Sequence, residues 1–361
     1  MTRTSLSLFN KLRPYSIGFD NAFDSWDRFF TDDFNLTSAM TSSFPAYDII
    51  KKNEHQYQIQ LALAGFSKGD IEVEVKENVL SIRSKDKTEE DVETEIIKVT
   101  TSGDKILNKS LSEIGGKGLF IKELEYFILN GFADIAVHSM KDMETDIAKN
   151  TEISAVLPRG DRSDVLIGNY DSFDNLPDKA IVGTSSVRRA AFAKYYRPDL
   201  NIKFLRGNIG TRIEKLNSGL YDAIILAKAG LDRLSINVGN IIPNEIIPPA
   251  SSQGVIAIQS TTNGNNEYQK QLKMTLNKIN DERAFFETLA ERSLLKTLDG
   301  SCRSPISASA HFTESKELIL YGAIATLDGT KIIRSKIKGS IKDAIKLGKE
   351  LGNKIKAQTE L

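Results

Sequence analysis

One cysteine, Cys302, and one tryptophan occur in 361 residues. A lone thiol closes no internal disulfide, so the fold rests on packing, and a reducing compartment, the cytoplasm, is the expectation. Histidine is nearly as scarce: His55, His138 and His311 lie far apart, without the spacing of a metal site built from sequence neighbours, and no metal is expected. An excess of one charge is also lacking. Lys plus Arg number 48 and Asp plus Glu 48, so no overall field attracts nucleic acid or an acidic membrane surface, and any anion site must be local. No run of about 18 apolar residues is present to span a bilayer, and Arg3 is followed by no continuous apolar stretch of the secretory kind. Neither nucleic acid nor membrane is an expected partner.

What is present, 40% hydrophobic and 27% charged residues, suits two or three packed domains. The chain falls into two regimes. From Tyr57 to Leu63 (YQIQLAL) and from Ile71 to Val75 (IEVEV), apolar and polar residues alternate as in a strand with one buried face, and Gly65 and Gly69 mark the turn between them. After about Thr100 the pattern becomes short apolar runs followed by helix-like segments: ADIAVHSM, AIVGTSS, IKFLRG and DAIILAKAG. That alternation predicts α/β lobes with covered sheets. The charged stretch KDKTEEDVETE, Lys85 to Glu95, is the expected junction.

In the second regime, Lys141 and Asp142 end the run ADIAVHSMKD. A pleat burying Ile135 and Val137 would deliver the carboxylate to the mouth of a parallel sheet, where ligands bind. Taken alone, an Asp after a Lys is commonly a turn residue. Four arginines are placed similarly: Arg188 and Arg189 after VGTSS, Arg206 after IKFL, and Arg212 after GNIGT. Guanidinium forks suit carboxylates, and Gly207 and Gly210 let backbone N–H groups approach an anion beside a helix start. Each arginine singly could instead be a surface ion pair. Cys302 lies in LDGSCRSP, a loop bracketed by Gly300 and Pro305; a loop thiol can react, a buried one is inert.

GDKIL (Gly103 to Leu107), GGKGLFIKELE (Gly115 to Glu125), AVHSMKD, VGTSSVRR, LRGNIGTR, YDAIILAKAGLDRL and LDGSCRSP follow one another in the order found in porphobilinogen deaminases (hydroxymethylbilane synthases). Over about residues 100–361 the chain resembles that family. The resemblance implies an α/β fold of three domains: two periplasmic-binding-protein-like lobes around a cleft, and a small C-terminal α/β domain. The expected bounds are 93–160 with 254–278 for the first lobe, incomplete at its N-terminus, 161–253 for the second, and 279–361 for the domain that anchors the cofactor.

The resemblance also implies a transferase of porphyrin and haem biosynthesis, condensing four porphobilinogen molecules stepwise into hydroxymethylbilane on a dipyrromethane cofactor. Cys302 would hold that cofactor by a thioether. Asp142 would be the catalytic carboxylate. Lys141, Thr184, Ser186, Arg188, Arg189, Arg206, Gly207 and Arg212 would bind the carboxylates of cofactor and growing chain, and Lys117 and Phe120 would belong to a mobile substrate loop. Porphobilinogen is the implied partner, and a monomer the implied state.

Residues 1–92 carry a different resemblance. FPAYDII (Phe44 to Ile50) and LALAGFSKGDIEVEVKENVLSIRSK (Leu61 to Lys85), behind the aromatic arm IGFDNAFDSWDRFF, are similar to a small heat-shock protein of the α-crystallin type. The later strands and tail motif of that family do not follow, so a partial β-sandwich is implied. The deaminase family opens with an Arg-x-Ser strand that is missing before GDKIL, and Arg3, Thr4 and Ser5 match it only as a short triplet. The alternatives set against the enzyme are a catalytically defective hybrid, a non-catalytic two-lobed anion binder, and a chaperone-like self-associating segment.

Overall fold

A computed structural model describes residues 47–53, 56–61, 71–76, 79–84, 94–99, 121–262, 266–300 and 304–359. The chain divides into two compact units, Met1–Ile96 and Ile97–Leu361.

In the first unit, β1 (Tyr47–Asn53) pairs antiparallel with β2 (Gln56–Leu61), with an irregularity between Lys51 and Asn53. Likewise β3 (Ile71–Lys76) pairs antiparallel with β4 (Val79–Ser84). The two alternating runs are therefore strands, but they sit in separate two-stranded sheets and are not joined in one hairpin. Each strand takes the partner reached by a connection of two residues, which loop closure favours over the longer connection containing Gly65 and Gly69. Those glycines, the aromatic arm and Arg3 to Ser5 lie outside the described residues.

Among the described residues the first elements of the second unit are α1 (Lys122–Leu129) and β5 (Ile135–Ser139), then a 3-10 turn, Met140–Asp142. Next come β6 (Thr151–Val156), β7 (Asp164–Gly168), β8 (Ile181–Gly183), α2 (Val187–Tyr196), β9 (Asn201–Lys203) and α3 (Ile209–Asn217). These are followed by β10 (Ala223–Ala227), α4 (Lys228–Arg233), β11 (Asn240–Ile242) and β12 (Ile256–Thr261). The chain ends with α5 (Glu267–Ile279), α6 (Glu282–Thr297), β13 (Ile306–Phe312), β14 (Leu318–Ala325), β15 (Ile332–Gly339) and α7 (Ala344–Thr359).

Three sheets organise these elements. The first has the order β5-β12-β6, and the second the order β11-β7-β10-β8-β9. The chain crosses from the first to the second through residues 157–163 and returns through 243–255. In the second sheet β10, β8 and β9 run parallel, whereas β7 is antiparallel to β10 and β11. Both faces are covered: Leu166, Val182, Phe192 and Ile225 pack on one side, and Val165, Leu205, Ile224 and Leu226 on the other. Two covered faces explain why β10 reads as a continuous apolar run without alternation. The third sheet, β13-β14-β15, is an antiparallel meander on which α6 and α7 bury Leu294, Leu320, Leu347 and Leu351.

Two details of the first sheet correct the sequence reading. β12 runs antiparallel to both its neighbours, so the strand before Asp142 is not in a wholly parallel sheet. The buried residues of β5 are Ala136 and His138, while Val137 is 57% exposed and Ile135 half-buried. The cause is position. Among the described residues β5 is an edge strand, and α5 packs over β6 at the opposite edge, which leaves the Val137 face uncovered there.

Candidate anion-binding and catalytic site

β8 and β9 are parallel neighbours, so the segments that leave their carboxyl ends lie side by side. After β8, the Thr184 N–H donates to the Lys203 carbonyl (3.0 Å) and its Oγ1 accepts from the Ser186 N–H (3.1 Å). Ser186 then caps α2, its side chain accepting from the Arg189 N–H. That cap puts Arg188 and Arg189 in the first helical turn. Cations there oppose the helix dipole, so a compensating anion is needed.

The anion is Asp164, the first residue of β7 and fully buried. Arg188 Nη2 donates to its Oδ2 at 2.7 Å; Arg189 Nε and Nη2 donate to its Oδ1 at 3.1 and 2.6 Å. Burial alone would push the Asp164 carboxyl up, but Arg188 and then Arg189 outweigh it and hold the group well below the usual carboxylate range. Arg189 Nη1 also donates to the Ile225 carbonyl (2.9 Å) and Arg188 Nη1 to the Pro248 carbonyl, while the buried Arg188 Nε has no protein partner. The two arginines are thus largely committed within the protein.

After β9 the chain places Arg206, Gly207 and the α3 cap Asn208, whose Oδ1 accepts from the Thr211 N–H at 2.8 Å. Gly207 has φ +122°, and a Cβ there would meet Thr211 Cγ2 at 2.8 Å, so a side chain is excluded twice over. Arg212 Nε donates to the Gly207 carbonyl (2.7 Å), and Lys215 Nζ to the Arg206 carbonyl (2.9 Å). Burial, followed by the positive charges of Arg189 and Arg206, brings the Arg212 guanidinium down to about 10, with Asp142 acting against the shift. Arg212 thus feels two neighbouring guanidinium charges, a setting that favours added negative charge.

Lys141 and Asp142 arrive from the other sheet. The Met140 N–H donates to the Val255 carbonyl (3.0 Å), which fixes the 3-10 turn against the returning crossover. Asp142 is exposed. Burial lowers the Lys141 pKa; Asp142 and Asp164 oppose that change, and Arg189 and Arg188 add to it. Lys141 and Asp142 therefore share one electrostatic neighbourhood with Arg188, Arg189 and Arg212.

Sequence reading missed Asp164 and Gln253. Gln253 is 1% exposed; its Nε2 donates to the Arg162 carbonyl (2.7 Å) and Asp164 Oδ1 (2.9 Å), and its Oε1 lies 3.5 Å from Lys141 Nζ. An Asp heading the apolar run DVLIG was the available signal for a buried counter-ion. It also missed the ties of α6. Arg159 Nη1 and Nη2 donate to Glu291 Oε1 (2.7 Å) and Oε2 (3.1 Å), and Arg162 Nη2 to Glu287 Oε2 (2.9 Å). Arg292 donates to the Met143 (3.3 Å), Glu144 and Thr145 (3.3 Å) carbonyls, directly after Asp142. The signal there was Glu287 and Glu291, one helical turn apart on a single face.

Cys302, Lys117 and Phe120 lie outside the described residues. α6 ends five residues before Cys302, at Thr297. Among the described residues no group of three His, Cys, Asp or Glu is arranged to hold a metal, and no helix is long and apolar enough to cross a membrane.

Comparison with known proteins places two family models on the chain. "Porphobilinogen deaminase, dipyromethane cofactor binding domain" matches residues 72–270, and "Porphobilinogen deaminase, C-terminal domain" matches residues 285–357. A porphobilinogen deaminase of Geobacillus sp. is 42% identical over 252 residues, covering 69% of this chain and 79% of the relative. One from Prochlorococcus marinus is 41% identical over 273 residues, covering 74% and 84%. Another, from Buchnera aphidicola, is 42% identical over 268 residues, covering 73% and 83%. Among solved structures, the ectoine-binding protein TeaA aligns with 46% of this chain and 64% of its own at 14% identity and a TM-score of 0.28.

Proposed function

The chain belongs to the porphobilinogen deaminase family, and from that premise we infer that it is a hydroxymethylbilane synthase: a transferase that condenses four porphobilinogen molecules, with water, into hydroxymethylbilane and four ammonia. Its cofactor is dipyrromethane, the group named by the family model. The supporting observation is the charge balance at the mouth of β8 and β9. Lys141 feels the positive charge of Arg189 and Arg188 there, Arg188 that of Arg189, and Arg212 that of Arg189 and Arg206, with the buried Asp164 and the exposed Asp142 as the carboxylates that act on them.

The residues present fit such a cofactor. Each pyrrole unit carries an acetate and a propionate, and the cluster offers guanidinium groups suited to carboxylates and a buried Arg188 Nε without a protein partner. When bound, the cofactor supplies the carbon terminus from which the chain is extended. Cys302 would anchor it by thioether. Lys141, Thr184, Ser186, Arg188, Arg189, Arg206, Gly207 and Arg212 would orient its carboxylates.

Asp142 is the proposed catalytic carboxylate. Its exposure lets it face substrate, and its carboxylate can stabilise a cationic pyrrole nitrogen and move a proton as ammonia leaves. Lys117 and Phe120 would close over the site. The finer architecture, two periplasmic-binding-protein-like lobes and a C-terminal domain, belongs to this reading, as do a monomeric state and a cytoplasmic location. For residues 1–92 the small heat-shock-like reading rests on resemblance alone, and the family match beginning at residue 72 overlaps its end.

The test is turnover. Purified chain given porphobilinogen should release hydroxymethylbilane, detected as uroporphyrin after spontaneous cyclisation and oxidation. Asp142→Asn should fold normally and lose at least a hundred-fold in kcat, about 10²-fold being the low end for a positioned acid or base. Turnover unchanged in that variant would remove Asp142 from the mechanism.

A further inference from the structure

The two crossovers between the first and second sheets run side by side at Gln253. The Gly160 N–H donates to the Gly254 carbonyl (3.0 Å), and Arg159 Nε donates to the Gln253 carbonyl (3.0 Å). Gly254 has φ +90°, and a Cβ there would stand 2.5 Å from the Gly160 carbonyl oxygen, so the strands approach as closely as backbone permits. Into this seam the Gln253 side chain turns inward. One end of its amide donates to the Arg162 carbonyl and to Asp164 Oδ1, and the other faces Lys141 Nζ. A buried amide in a protein interior is normally retained only where both ends are used.

We propose that Gln253 is a positioning residue for the reaction, its amide holding Lys141 of the first sheet in register with the Asp164-bound pair Arg188 and Arg189 of the second. This rests on the functional reading above. Asp164 Oδ1 already accepts from Arg189, so the amide N–H completes its shell; the amide oxygen is then left pointing at Lys141. Glutamine suits this position because one end must donate to a carboxylate and the other accept from an ammonium. Neither glutamate nor lysine does both.

The experiment has two parts, both on the full chain. In the first, the amine reactivity of Lys141 is read by competitive acetylation with acetic anhydride and peptide mass spectrometry in wild type, Gln253→Leu and Gly254→Ala, the last of which strains the same seam but keeps the amide. This needs no turnover. Gln253→Leu should raise Lys141 acetylation several-fold, and Gly254→Ala should leave it close to wild type. Equal reactivity in wild type and Gln253→Leu would overturn the proposal. So would an equal rise in both variants, which is what a general loosening of the seam gives. Should Gln253→Leu fail to fold, Gln253→Met is the second apolar variant, read in the same way.

In the second part, Gln253→Leu should raise KM for porphobilinogen by about ten-fold, the scale of one lost charge-assisted hydrogen bond, with kcat within about two-fold; a pure fall in kcat would contradict the assignment. Absence of turnover in the wild type would sink the functional reading and leave the acetylation result to judge Gln253 separately.

Discussion

Replacing Asp164 by asparagine removes the one carboxylate that Arg188 and Arg189 share. The side chain is fully buried and accepts from Arg188 Nη2, from Arg189 Nε and Nη2, and from Gln253 Nε2. Breaking a buried pair from one side leaves uncompensated charge and costs about 3–5 kcal/mol. Here two guanidinium groups are orphaned in the first turn of α2, where the helix dipole already opposes them, so the upper part of that range is expected. For a unit of this size it corresponds to a fall in Tm of about 2–4 °C per kcal/mol. Urea unfolding is the assay, since guanidinium chloride would screen the charges.

The pH dependence has a definite sign. The folded Asp164 carboxyl titrates below its unfolded value near 3.9, so its contribution is complete above that value and is lost as pH falls towards the folded one. The stability gap between wild type and Asp164→Asn should be level from about pH 5 to 8 and narrow below about pH 4. Because the variant has gained positive charge, a polycarboxylate such as citrate should stabilise it more than wild type through preferential binding. A cost under about 1 kcal/mol with unchanged m-value, or a gap that widens on acidification, would refute the counter-ion argument.

Further outcomes follow from the same geometry. Glu291→Ala removes one of the two carboxylates that Arg159 shares with Glu287 and the side-chain acceptor of the Ser252 and Ala310 N–H groups, and should cost about 3 kcal/mol in urea unfolding. Gly254→Ala forces a side chain into a left-handed backbone and against the Gly160 carbonyl, and should lower stability by about 1–3 kcal/mol, read as a drop in Tm. Arg212→Leu removes a cation that repels Arg189 and Arg206, so it should be well tolerated in unfolding while raising KM for porphobilinogen at least ten-fold, the loss expected of one guanidinium–carboxylate contact. The KM effect should shrink at high salt.

The sequence made the helix and strand succession of the second unit legible wherever burial was two-sided. AIILA reads as a covered strand because both faces of β10 are packed, and the arginines after VGTSS and IKFL group together because β8 and β9 are parallel neighbours. Edge effects were not legible. Val137 looks like a core residue, but α5 covers its face of the sheet only towards β6, at the edge opposite β5, and Ala136 with His138 takes the buried side. Long-range electrostatics were hidden as well. Nothing local at Arg188 and Arg189 says that Asp164, 24 residues earlier, holds both, or that Gln253 in the distant return crossover completes the set. Alternation showed the strands of the first unit but not their pairing, which short connections decided.

The central claim is that the chain carries a covalently anchored dipyrromethane and extends it from porphobilinogen. Intact-mass measurement of the purified chain, before and after Cys302→Ser, tests it most directly. The wild type should carry the added mass of two linked pyrrole units and gain further steps of one unit each when porphobilinogen is supplied, and Cys302→Ser should show none of these. A wild-type chain that has no adduct and gains none from porphobilinogen or preformed hydroxymethylbilane would show that Cys302 anchors no cofactor and that the chain is not a working deaminase.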